Sequence, residues 1–184
     1  MTDHPGQVAS RRVYSGRIVQ LDIDTVRFPD GSIGEMEMIR HPGAAAVVPV
    51  LAGSDTADPQ ILLIRQYRYA AGGPVWEVPA GRLDPGESPE TCAHRELEEE
   101  AGAKAERLER LTTIFTTPGF IDERIHLFAA HGLTPTPHRR EPDEFMEAVP
   151  LPLSRVLGMI RDGEMVDGKS IVAVLFFAAF RSRV

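Results

Sequence analysis

The chain has 184 residues and is 42% hydrophobic, enough for one domain with its own core or one domain with a small extension. Its formal net charge of −7 argues against nonspecific nucleic-acid binding, which calls for a basic surface, so an anionic partner would need local help from cations. The one cysteine, Cys92, allows no internal disulfide, the longest apolar run (Ile171 to Phe180) is about half of a membrane span, and the N-terminus lacks the apolar region of a signal peptide; a cytoplasmic protein with no membrane contact is expected.

Residues 1–10 are polar and aperiodic and read as a disordered tail. From Val13 to Arg40 the pattern turns to alternation. Val19, Leu21, Ile23 and Thr25 share one face, Pro29-Asp30-Gly31 is turn chemistry, and Ile33 to Arg40 alternates again, which predicts an N-terminal β-meander over residues 11–42. Ala44 to Leu51 and Gln60 to Arg65 are short apolar runs of the kind found in strands buried on both faces, and are expected as the central strands of a domain spanning residues 43–184. Gln66-Tyr67-Arg68-Tyr69 then places a cation just past a strand end, before Val75 to Pro79 leads into the most informative stretch.

That stretch is Gly81 to Ala103. Asp84-Pro85-Gly86 is a turn, Ser88 followed by Pro89 is an N-cap with proline at the first helical position, and Gly102 suits the left-handed residue that closes a helix, so a helix is predicted from Pro89 to Ala101. Its last turns carry Glu96, Glu98, Glu99 and Glu100, where each carboxylate faces the negative end of the helix dipole at a cost of about 0.3–1 kcal/mol. Something should offset this. Glu96 and Glu100, four apart, share one face with Glu99 beside them, and such a cluster can hold Mg2+, which takes one or two carboxylates and completes its shell with water and phosphate oxygens.

Beyond the helix, Leu108 to Thr117 and Arg124 to Ala130 read as strands around the loop Pro118 to Glu123, and His131 to Glu144 reads as a long irregular segment. Met146 to Leu151 is a further strand, Ser154 is expected to cap a helix through Arg161, and Asp167-Gly168-Lys169 leads to a last helix that is apolar nearly all round and so needs cover.

Gly81, Glu87, Arg95-Glu96-Leu97, Glu99-Glu100 and Gly102-Ala103 stand at the spacing of the Nudix box, and the chain resembles a Nudix hydrolase. The resemblance implies an α/β fold, a Nudix-type α/β/α sandwich on a mixed β-sheet, here with a small N-terminal antiparallel sheet. It implies Mg2+, or Mn2+, bound by Glu96 and Glu100, with Glu99 in the same cluster, Arg95 and Glu87 as the pair that orients the carboxylates, and Gly81 keeping the backbone open to the metal.

The wording around the box is similar to that of the ADP-ribose pyrophosphatase branch. There Arg68 corresponds to an arginine that touches the diphosphate, the Ala80 carbonyl is a further metal ligand, and Pro118, sixteen residues past Gly102, marks the subfamily. The resemblance also offers Arg40 and Phe120 as substrate-binding residues. An acidic loop brings a glutamate over the metals in these enzymes, for which Glu144 is the first candidate and Glu141 the second; Glu99 is the other possible base. A homodimer formed through the N-terminal sheet is implied as well. The expected reaction is hydrolysis of a nucleoside diphosphate sugar, ADP-ribose first and GDP-mannose as the alternative, since enzymes for the latter share an element like Asp167-Gly168-Lys169. A non-catalytic Nudix module that senses a nucleotide sugar is the rival of another class; the full set of box carboxylates speaks against it.

Overall fold

The computed structural model describes residues 5–51, 57–137 and 145–181. They form two compact units, residues 1–43 with 115–124, and residues 44–114 with 125–184.

The first unit is an antiparallel meander of β1 (Gly6–Ser15), β2 (Gln20–Arg27) and β3 (Ile33–Arg40), in that order. The disordered tail expected over residues 1–10 is corrected from Gly6 onward. Gly6 pairs with Arg27 and Gln7 with Val26, so backbone hydrogen bonding fixes a strand that buries neither face, and all ten of its residues are exposed. No apolar periodicity could have announced it. The unit also takes in more than the continuous segment expected, because residues 115–124 dock on β3: Ile39 N–H donates to the Phe120 carbonyl at 2.8 Å and His41 N–H to Asp122 Oδ1 at 2.8 Å.

The second unit holds β4 (Ala44–Pro49), β5 (Gln60–Arg68), a single 3-10 turn (Tyr69–Ala71), β6 (Gly73–Glu77), β7 (Ala80–Arg82), α1 (Pro89–Ala101), β8 (Ala103–Lys104), β9 (Arg107–Phe115), β10 (Arg124–His131), β11 (Thr134–Pro135), β12 (Met146–Pro152), α2 (Leu153–Arg161) and α3 (Gly168–Phe180). Strands β7, β4, β10 and β9 lie side by side in a mixed sheet, with β4 parallel to β10 and antiparallel to β7. Strands β12, β5 and β6 form a separate antiparallel sheet. The two apolar runs expected together are thus each central to its own sheet, joined by one antiparallel bridge between Val50 and Ile61.

Alternation along β4 builds the sandwich. Ala45 and Val47 pack with Cys92, Ala93 and Leu97 of α1, while Ala44, Ala46 and Val48 pack with Val156 and Met159 of α2 and Val174 and Phe177 of α3. Both faces are covered, which is why the strand reads as continuously apolar. The irregular segment expected after His131 contains the short strand β11, paired with β8. Ser154 is not the cap of α2. It lies inside the helix, and Asp58 accepts its N–H at 2.8 Å and its hydroxyl at 2.7 Å. On α3, Ser170, Ala173, Val174 and Phe177 are buried at helical spacing, but Val172 and Leu175 stay exposed, so the full cover expected for this helix is not provided by the described residues. No helix among them is long and apolar enough to cross a membrane.

Candidate active site

The site is built on β7, the turn after it and α1. Strand β7 pairs with β4 in the register Ala44 with Arg82, Ala45 with Gly81 and Ala46 with Ala80. The chain then reverses through Gly86 at φ 81°, and Ser88 Oγ accepts the Thr91 N–H at 3.1 Å to start α1. Gly102 closes the helix at φ 61°, with its N–H returned to Glu98. Because Cys92, Ala93, Leu97 and Ala101 face the sheet, Glu96 and Glu100 at the edge of the same stripe are drawn into the protein, 7% and 3% exposed. Glu100 Oε2 accepts the Ala80 N–H at 2.8 Å. The Glu96 carboxylate lies over Gly81, where an added Cβ would come within 1.9 Å of Oε1. Glycine is required there by close approach.

Arg95 answers the unfavourable charge at the helix end. Its Nε and Nη2 each donate to Glu87 at 2.9 Å, Nη1 bonds Glu96 and, at 3.1 Å, Glu99, and Nη2 also reaches the Arg82 carbonyl at 3.0 Å. The Arg95 fork holds the Glu87 carboxyl down at about 2 against an ordinary value of 4.5. Lys104 lies 3.5 Å from Glu98 and lightens the same load.

Ala80, Gly81, Arg95, Glu96, Glu99 and Glu100 line a cleft of about 620 Å³ together with Gln66 and Arg68 of β5. Arg68 makes a two-pronged bond to the buried Glu77, Nε to Oε1 at 2.6 Å and Nη2 to Oε2 at 2.8 Å. Burial alone would raise the Glu77 carboxyl, yet Arg68 and Lys169 outweigh it and hold it below the usual carboxylate range. Among the described residues, Arg68 Nη1 has no hydrogen-bond partner.

Residues 40–172 match the NUDIX domain. The chain belongs to the Nudix family. It is 37% identical to the methanol dehydrogenase activator of Bacillus methanolicus and 36% identical to the ADP-ribose pyrophosphatase of Bacillus subtilis, in each case over 171 residues, 92% of this chain and 90% of the relative. Among solved structures it is similar to an ADP compounds hydrolase, with a TM-score of 0.80 and 23% identity over 95% of this chain and 92% of that one, which establishes the fold.

The structure brings Ala80, Gly81, Arg95, Glu96, Glu99, Glu100 and Arg68 together along the Nudix cleft. The donor chemistry fits a hard divalent cation: two buried carboxylates one helical turn apart, one of them pressed on a backbone that carries no side chain. Among the described residues no three His, Cys, Asp or Glu side chains form a cage, and Mg2+ does not require one. Glu87 stands in the loop before α1 as a partner of Arg95, and Gly102 takes the left-handed conformation at the helix end.

Arg40 and Phe120 are in the first unit. There the Arg40 guanidinium is held by Asp22 at 3.0 Å, by Asp122 at 3.3 Å and by Asp24, and the Phe120 ring is about half exposed. Pro118 stands in the loop of the same unit. Glu141 and Glu144 fall outside the described residues. Sequence reasoning quoted Gln66 beside Arg68 without giving it a role and missed Glu77; both are buried. Gln66 was open to detection, since residues i and i+2 of a strand share a face and Arg68 was already singled out. Glu77 gave no local sign.

Proposed function

We propose that this Nudix pyrophosphohydrolase cleaves the diphosphate of a nucleoside diphosphate sugar, with ADP-ribose the preferred substrate and AMP and ribose 5-phosphate the products, using Mg2+ or Mn2+. The observation that carries the reading is the buried pair Glu96 and Glu100 seated against Ala80 and Gly81 at a cleft that Arg68 also lines. Similarity to an ADP-ribose pyrophosphatase over 92% of the chain supports the choice of substrate.

Glu96, Glu100 and the Ala80 carbonyl would hold the cation. Once bound it would neutralise the diphosphate and make a water acidic enough to attack phosphorus. The chain's own groups do the rest. Arg95 keeps Glu96 and Glu99 in place, so the cleft meets its ligands without rearranging them. Arg68 offers its unpartnered Nη1 hydrogens to a phosphate oxygen, where a charge-assisted bond gains most as negative charge builds. The attacking water's proton passes to a carboxylate, Glu144 or Glu99. Glu99 has one oxygen on Arg95 and the other without a partner among the described residues.

The reading includes a cytoplasmic homodimer. Strand β1 is an edge strand exposed along its whole length, and an edge of that kind is a template for pairing with another chain.

The test is parallel turnover of ADP-ribose and GDP-mannose, with Mg2+ and with excess chelator, products resolved by ion-exchange chromatography, beside Glu100→Gln. Release of AMP from ADP-ribose that chelator or the substitution abolishes is the expected result. Faster cleavage of GDP-mannose would keep the chemistry and change the substrate, and binding without metal-dependent turnover would leave a sensor in place of an enzyme.

A further inference from the structure

Glu77 is 2% exposed, yet it accepts hydrogen bonds from two cations that approach from different parts of the chain. Arg68 engages both of its oxygens from the neighbouring strand, and Lys169, 92 residues away at the start of α3, bonds Oε2. Lys169 is itself fixed. Its Nζ lies 2.9 Å from Asp167 Oδ2, and Asp167 also caps α3 by accepting the Ser170 N–H at 3.0 Å and the Ser170 hydroxyl. Ser170 Oγ, fully buried, accepts the Val78 N–H at 2.8 Å, one residue past Glu77. The network therefore closes on itself, tying the end of β6 to the first turn of α3.

We infer that Lys169 is a positioning residue for hydrolysis: it pins the Glu77 carboxylate, and Glu77 holds the Arg68 guanidinium at the cleft with Nη1 turned to substrate. The inference rests on the reading of Arg68 as the group that meets the diphosphate. Lys169 does not line the cleft; it borders a second cavity of about 420 Å³ that shares Arg68, with its ammonium bonded to Glu77 and Asp167, and the influence inferred for it runs through Arg68. A planar guanidinium clasped on two of its donors by a fixed carboxylate presents the others in one direction. Without Lys169, Glu77 Oε2 keeps one of its two donors and the carboxylate gains freedom to turn, carrying the arginine with it. A buried carboxylate left with less compensation is also costly, which is why the lysine is not a neutral ornament.

A double-mutant cycle decides it. Lys169→Met should lower kcat/KM for ADP-ribose about tenfold, within the range of couplings inside one hydrogen-bond network, and should add nothing in an Arg68→Ala background. Lys169→Arg should restore most of the loss. Thermal unfolding of each variant shows that it is folded at the assay temperature, and a purely structural lysine would lower activity by the same factor whether Arg68 is present or not. Effects that multiply, or a wild-type rate in Lys169→Met while Arg68→Ala is impaired, overturn the inference. Should the wild type cleave no sugar nucleotide, the functional reading fails separately, and the same cycle on calorimetric binding of ADP still decides whether Lys169 acts through Arg68.

Discussion

Arg95 and Arg40 each clasp three carboxylates, Glu87, Glu96 and Glu99 in one case and Asp22, Asp24 and Asp122 in the other. The partners of Arg95 lie no more than eight residues away, on one loop and one helix. Those of Arg40 are spread over β2 and a loop 82 residues distant. A local cluster forms with its helix and can be tuned by single side chains, and this one holds Glu96 and Glu99 on the wall of a cleft. The distant cluster is assembled only when its segments have met. Its work is to keep the meander and residues 115–124 as one unit. The same chemistry thus lines a cleft in one place and joins segments of one unit in the other, and the difference lies in what stands beside the carboxylates.

The contrast can be broken most sharply at Gly81. A methyl group there must displace Glu96, and Gly81→Ala should reduce turnover by about a hundredfold, the usual cost of misplacing a reacting group by an ångström. Steady-state hydrolysis within a few-fold of wild type would mean that Glu96 is not held where turnover needs it. Next in size is Arg95→Gln, for which a loss of about 10–100-fold in kcat/KM is expected, as for other residues that orient metal ligands. This variant also carries a pH signature. The folded-state value of Glu87 is depressed, so its contribution to stability is complete above pH 4.5 and fades as the pH falls toward about 2. Chemical unfolding across that window should therefore show a steeper acid loss in the wild type than in Arg95→Gln, and parallel curves would contradict the pairing.

Arg40→Met probes the distant cluster. It should lower the melting temperature by a few degrees and leave kcat/KM within about twofold. A large rise in KM with unchanged melting would instead give Arg40 a role at the substrate. The smallest effect belongs to Ser88→Ala, which removes the cap of α1 at about 1 kcal/mol and should leave the Arg95 cluster working, as measured by denaturant midpoint and activity together.

How much of this was legible follows the same division. Helix α1 could be read from its first residue to its last because Ser88, Pro89 and Gly102 are local instructions, and Glu87, Arg95, Glu96 and Glu100 keep fixed distances along the chain. Strand β1 could not, since a strand that buries nothing leaves no periodic trace. Asp58 capping Ser154 across 96 residues and Lys169 reaching Glu77 across 92 depend on folding bringing remote segments together, and no spacing encodes them. The same holds for the division of β4 and β5 between two sheets, which two equally apolar runs do not distinguish.

The lone sulfhydryl has a practical consequence. Cys92 is fully buried on the inner face of α1, with Sγ 3.5 Å from the carbonyl oxygens of Gly81 and Arg82, and burial together with the charge of Glu96 pushes its thiol up to about 12. In the folded chain it should ignore alkylating reagents; labelling requires the helix to lift from the sheet. The protein therefore carries an internal clock for the opening of α1, and the rate at which iodoacetamide is taken up, with and without Mg2+, would time how often that helix lets go.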